Sequence, residues 1–406
     1  MSAPGSTPDD ERDQPVDAPA TGGAAGTPVP ASWTASAPET FHEAHGAAAD
    51  PWTSTVPAMS ARSRTLSYAA LATAVLVAVL GFLPAPFVVR SPGPTVDTLG
   101  TDNGKPVVAI SGAKTYPTTG QLRLLTVLEV GGPGYSTTLQ RVLEGWWRRD
   151  TAVLPRDAVY PTTVTREQEQ QVSQAQMTTS QENAEAAALT ELGYRVPVVL
   201  SVAGVVKGSG AVGVLQKGDV ITSVDGSSFD TYDAFLHELY AVAPGGTVTL
   251  GITRDGKAQD VKVVTGKNAD GKPTVGFYPA VSYDMPVDIT INLGEDIGGP
   301  SAGTMFALAI IDKMTSEDLT GGKVVAGTGT MDVDGTVGAI GGIRQKLAGA
   351  KRDGATWFLA PASNCDEVVG YVPDGLHVVS MSTLHQARQE LAAIGAGDTA
   401  DLPTCS

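Results

Sequence analysis

Residues 296–311 read DIGGPSAGTMFALAII, and this stretch decides how the second half of the chain is understood. Gly298, Gly299 and Pro300 turn the backbone tightly, and the apolar run that follows Ser301 has the character of a buried helix. Ser301 therefore falls at a helix start, where backbone N–H groups lack intrahelical acceptors and the helix dipole is positive. Such a terminus can hold an oxyanion; a helix-capping serine is the plain alternative. The backbone of Gly299 and Ala302 is the expected oxyanion shell.

A serine hydroxyl is a weak nucleophile without a base. The chain has five His, two of them near the N-terminus and one, His237, in a separate helical segment, so a Ser–His–Asp triad is hard to assemble. The stretch TVGAIGGIRQKLAGAKRDGA offers Lys346 instead, near the start of a helix with Ile343, Leu347 and Ala350 on its apolar side. Burial disfavours an ammonium and lowers a lysine pKa, which makes a neutral amine available as general base.

At this point a resemblance is specific. GGPSAG, followed about 45 residues later by GGIRQK, resembles the proteolytic domain of the Lon protease family. The resemblance covers roughly residues 275–373 and implies Ser301 and Lys346 as a catalytic Ser–Lys dyad. The intervening AGTGTMDVDGTVGAIGG is similar to the family's hairpin, and Thr328 matches a threonine that assists the dyad there. The family also implies assembly of subunits into a homo-oligomeric ring, a hexamer.

A second resemblance lies upstream. GVLQKGDVITSVDGSSFDTYDAFLHEL is similar to bacterial PDZ domains, with turns at Gly218-Asp219 and Asp225-Gly226 and a helix from about Thr231 to Val242. Such domains take an extended peptide as an added strand beside a helix. RVPVVLSV, residues 195–202, is the expected groove strand, although it has no clean carboxylate-binding signature. A further hairpin is expected around Asp255-Gly256.

Residues 66–89, LSYAALATAVLVAVLGFLPAPFVV, carry no charge and suffice to cross a hydrocarbon core, which takes about 20 residues. Arg62 and Arg64 precede the run, which by the positive-inside rule puts the N-terminus in the cytoplasm and the bulk of the chain outside it; the resemblance to PDZ-containing Lon-like proteases of bacteria implies a bacterial plasma membrane. Residues 1–60 are rich in Ala, Pro, Ser, Thr, Gly and Asp and read as a disordered cytoplasmic tail. Outside the cytoplasm the two cysteines, Cys365 and Cys405, can pair and tie down the C-terminus.

The formal charge of −16 excludes a nucleic-acid role, which needs clustered Lys and Arg. Two cysteines without metal-ligand spacing leave a mechanism without metal or cofactor. GKNADGKP at 266–273 approaches a nucleotide-binding loop but has Pro273 where Ser or Thr would hold magnesium. ATP-independent cleavage of unfolded or PDZ-recruited proteins is the resulting expectation.

The chain is thus read as α+β: a tail (1–60), a transmembrane helix (66–89), a β-rich and helical extension of the protease domain (91–190), a PDZ-like domain (191–270) and a Lon-like domain (275–406). Two rivals remain. Gly299-x-Ser301-x-Gly303 fits an α/β-hydrolase elbow, with Asp366 or Asp374 and His385 as partners, but a loop, not a strand, leads into it. The other is a membrane-tethered PDZ adaptor with an inactive Lon-like domain.

Overall fold

The structure, a computed structural model, describes residues 60–161, 163–294 and 296–405. The expected tail therefore lies outside the described residues, apart from Ser60.

Helix α1, Ala61–Gly81, is uncharged from Leu66 onward, exposed along its length, and has a mean hydropathy of 1.6. By length and composition it is able to cross a membrane. It is shorter at its end than the expected span. Pro84 and Pro86 offer no N–H to continue a helix, and Val88 and Val89, 0% and 8% exposed, belong to a packed strand.

That strand, β1 (Phe87–Asp97), begins the larger sheet, which β2 (Gln121–Val130) and β3 (Ala152–Pro155) continue. Between β2 and β3 lies helix α2, Leu139–Trp147, and beyond them helix α3, Arg166–Glu191. Strands β4 (Val198–Val205) and β5 (Val220–Val224), helix α4 (Tyr232–Tyr240), and strands β6 (Thr247–Arg254), β7 (Lys257–Val264) and β8 (Phe277–Tyr283) follow. The last part holds α5 (Gly303–Met314), β9 (Val324–Gly327), α6 (Ile343–Arg352), β10 (Trp357–Pro361), β11 (His377–Met381) and α7 (Leu384–Ala396).

The larger sheet has the order β11-β10-β9-β2-β1-β3. β2 runs parallel to β9, with Gln121 opposite Val324 and Leu124 opposite Gly327, so chain segments some 200 residues apart share one sheet. β1 pairs antiparallel with both β2 and β3.

The smaller sheet is antiparallel, in the order β7-β6-β5-β4-β8, around Leu200, Ile221, Phe235, Leu250 and Ile252. Asp225 and Asp255 adopt left-handed φ of 47° and 50° before their glycines, as two-residue hairpins require. The expected groove strand is corrected here. Residues 198–205 pair with β5 on one side and β8 on the other, so the edge belongs to Phe277–Tyr283. Hydrophobic alternation marks a strand but does not say which strand stands at the edge.

Residues 266–273, the near match to a nucleotide loop, form a short hairpin, with Gly266-Lys267 paired to Thr274-Pro273, and open no helix.

Helix α5 is apolar all round, which demands burial on every side, and Gly303 to Asp312 are all buried. One of the faces packed against it is α3. A capping box between Thr165 and Gln168 starts α3, and its C-terminal half buries Ala184 and Ala186 to Leu189. Cys365 and Cys405 form a disulfide with Cα atoms 4.9 Å apart, fixing the C-terminal tail.

Candidate active site

Ser301 precedes α5, and its backbone is held from two directions. Its carbonyl accepts from the Gly329 N–H at 3.0 Å and from the Thr328 hydroxyl at 2.8 Å. The preceding loop is held by α3: the Gly299 N–H donates to the Ser173 carbonyl at 3.0 Å, and the Ser180 hydroxyl donates to the Pro300 carbonyl at 2.9 Å.

Two glycines make this packing possible. Gly299 has φ 84°, a left-handed turn that leads into Pro300. At Gly303 a Cβ would come within 2.8 Å of Met331 Cβ and 2.9 Å of Ser180 Oγ, so a side chain there would push apart the two elements that grip the serine.

Lys346 projects from the first turn of α6 and is 2% exposed. Its Nζ lies 2.7 Å from Ser301 Oγ and donates to Thr328 Oγ1 at 2.8 Å. Burial pushes the amine down from the ordinary lysine value of 10.5 to about 7.

The geometry orders the protons. The Thr328 hydroxyl hydrogen is committed to the Ser301 carbonyl, so its oxygen faces Lys346 as an acceptor. A neutral Lys346 amine that spends an N–H on Thr328 can turn its lone pair to the Ser301 hydroxyl.

Ser301, Lys346 and Thr328 are thus brought together. Gly299 and Ala302 flank the serine in sequence, but the Gly299 N–H is already engaged by Ser173, which leaves it no free hydrogen for an oxyanion. Ala302 caps α5 and is 5% exposed. His385 on α7, the triad partner of the hydrolase rival, pairs instead with Glu191 at the end of α3, at 2.9 Å.

A polar cavity of about 560 Å³ opens over Ser301 and Lys346. Its far wall comes from segments whose part in a site was not legible in the sequence: Arg90 on β1, Glu129 on β2, Tyr160, and Glu169, Gln170 and Ser173 on α3. Arg90 Nε donates to one Glu129 oxygen and the Tyr160 hydroxyl donates to the other at 2.6 Å, which fixes the carboxylate. Burial first, and Glu129 second, push the Tyr160 phenol pKa up. No sequence signal joins these residues, because four separate segments supply them.

Among the described residues, no group of three or more His, Cys, Asp or Glu is arranged to hold a metal ion.

Comparison with known proteins finds two families. Residues 175–265 match the PDZ domain, and residues 287–392 match the Lon protease (S16) C-terminal proteolytic domain. Lon protease 2 of Bacillus subtilis is 29% identical over 118 residues, 29% of this chain and 20% of that protein. Lon protease of Rickettsia typhi is 28% identical over 187 residues, 43% of this chain and 23% of that protein. The chain thus spans under a quarter of the length of these relatives. A solved PDZ domain of an SdrC-like protein from Listeria innocua is 26% identical, with a TM-score of 0.19, and covers 20% of this chain and 92% of that one. Taken together, the two family matches and the Lon relatives give this chain a PDZ domain followed by a Lon-type proteolytic domain, and support a PDZ-containing Lon-like protease.

Proposed function

We propose that the protein is a membrane-anchored serine endopeptidase that hydrolyses peptide bonds with a Ser301–Lys346 dyad and without ATP. One observation carries the reading: a buried lysine amine, brought to about neutral pKa by desolvation, lies 2.7 Å from the hydroxyl of a serine at a helix start.

In the proposed reaction the neutral Lys346 amine takes the Ser301 proton as Oγ bonds to the scissile carbonyl carbon. The ammonium then returns that proton to the leaving amine as the C–N bond breaks, giving an acyl-serine and a free amine. Water attacks the ester by the same route, its proton passing to Lys346 and back to Ser301. Thr328 orients the amine throughout. The backbone next to Ser301, including Ala302, is the proposed donor to the oxyanion.

Anchoring rests on helix α1 and its uncharged run, and an extracytoplasmic site agrees with the Cys365–Cys405 disulfide. Independence from ATP rests on the hairpin that occupies 266–273 in place of a nucleotide loop. The PDZ domain is proposed to recruit extended polypeptide along the β8 edge, whose residues Tyr278 to Ser282 are exposed. A homo-oligomeric ring is proposed from the family likeness.

The test is hydrolysis of casein without ATP by the full chain in detergent, beside Ser301→Ala and Lys346→Ala. The expected outcome is cleavage by the wild type and a loss of at least about 10³-fold in each variant. Cleavage that persists in either variant would refute the dyad, and intact peptide binding with no wild-type cleavage would favour the adaptor.

A further inference from the structure

Helix α2 has two apolar sides and only one of them is used by the fold. Val142 and Gly145 are buried against Val89 and Val153. A second stripe, Leu143, Trp146 and Trp147, is exposed by 53%, 61% and 92%. The i, i+3, i+4 spacing makes it continuous, and Trp146 is braced edge-on by Phe87 at 6.0 Å. Gln140, Arg141 and Glu144 occupy the remaining side. Two adjacent exposed tryptophans on an ordered helix mark a surface that something covers.

The position of α2 identifies the cover. Its first turn is fixed to the residues that leave α1. The Leu139 N–H donates to the Leu83 carbonyl at 3.0 Å, Pro84 and Ala85 pair with Thr138 and Thr137, and a Cβ at Gly81 would lie 3.7 Å from Gln140 Cβ. Phe82, 74% exposed, and Leu83 extend the apolar surface between the two helices.

We infer that α2 lies in the interface of the bilayer that α1 crosses, with Leu143, Trp146 and Trp147 at the boundary between headgroups and acyl chains. Tryptophan favours this depth because its ring is apolar and its N–H finds a partner among the headgroups. Arg148 and Arg149 follow the tryptophans directly; Arg148 is paired with Asp150 at 2.8 Å, and the exposed Arg149 is the cation that anionic headgroups complement. The polar side, with Arg141 and Glu144, faces water. Lipid is the occupant, and not a second copy of the chain, because only two residues separate Gly81 from the Pro84 pairing that seats α2. The span and this helix then form a two-point mount for β1, which starts at Phe87. This inference rests on the anchor reading of α1.

The test uses the full chain reconstituted into vesicles of phosphatidylcholine with about one third phosphatidylglycerol, brominated at shallow or deep acyl positions. Wild type and Trp147→Gln are compared by flotation and tryptophan emission, so that the difference spectrum isolates Trp147. The expected difference emission is blue-shifted and quenched about twofold by shallow bromines, less by deep ones. Flotation with an unquenched, water-like difference spectrum would overturn the placement of α2 and leave the anchor standing. Failure of the wild type to float would overturn both. An unquenched Trp147 together with a smaller assembly for Trp147→Gln in detergent would assign the stripe to a second copy and overturn the lipid proposal.

Discussion

The cavity over Ser301 has two walls with different origins. The wall proposed to react, the reacting wall, comes from one continuous stretch, in which Ser301, Thr328 and Lys346 lie within 45 residues and meet through three hydrogen bonds. The facing wall is gathered from β1, β2, Tyr160 and α3, and β2 joins the sheet beside β9 through a pairing that spans some 200 residues. The comparison teaches that the proposed chemistry is a local property of the chain, whereas the space a substrate would enter is built by long-range topology.

The sharpest way to probe the reacting wall is through the cost of burying Lys346. Its folded pKa of about 7 lies below the unfolded 10.5, so between those values the unfolded chain binds more protons. The contribution is fully present above about pH 10.5 and is lost as pH falls to about 7. Its full size is on the order of 4–5 kcal/mol. Denaturant titrations of wild type and Lys346→Met at pH 7 and pH 10 check this: the variant should lose most of the wild type's gain in stability over that interval.

Next in size is the Cys365–Cys405 disulfide, which closes a separation of 40 residues. Cys365→Ser/Cys405→Ser should lower unfolding stability by about 2–4 kcal/mol while casein cleavage below the melting transition stays within about twofold. A proportionate loss of cleavage in the folded variant would show that the reacting wall depends on the C-terminal tail.

Thr328→Val removes the acceptor that orients the amine and leaves the Ser301 carbonyl short of a donor. A drop in kcat of about 10- to 100-fold is expected, corresponding to one buried hydrogen bond, with Thr328→Ser restoring most of it. The smallest effect belongs to the facing wall. Glu129→Gln weakens the Arg90 and Tyr160 contacts without touching Ser301. KM for peptide substrates should shift by about two- to fivefold, the value of a part-exposed ion pair, with kcat preserved. A collapse of kcat would break the distinction between the walls.

The same distinction explains what the sequence disclosed. GGPSAG and GGIRQK are short, glycine-punctuated motifs next to apolar helices, so the helix starts that carry Ser301 and Lys346 were readable in place. The Asp255-Gly256 hairpin was likewise readable from its turn dipeptide. The end of α1 was missed because apolar residues continue through Pro84 and Pro86 into Val88 and Val89, where hydrophobicity serves a sheet. The β8 edge was missed because position in a sheet is set by pairing partners. Helix α3 carries a polar N-terminal half with no apolar face, since part of it lines the cavity, and so offered no pattern from which to infer its packing on α5.

The central claim is that Lys346 acts as the base for Ser301, and the most direct measurement is the rate at which a serine-directed fluorophosphonate labels Ser301 between pH 5 and 9 in the wild type and in Lys346→Ala. The account predicts a rate that climbs with pH through an apparent pKa of about 7 and falls by at least about 100-fold in the variant. Labelling that is independent of pH, or as fast in Lys346→Ala as in the wild type, would contradict it.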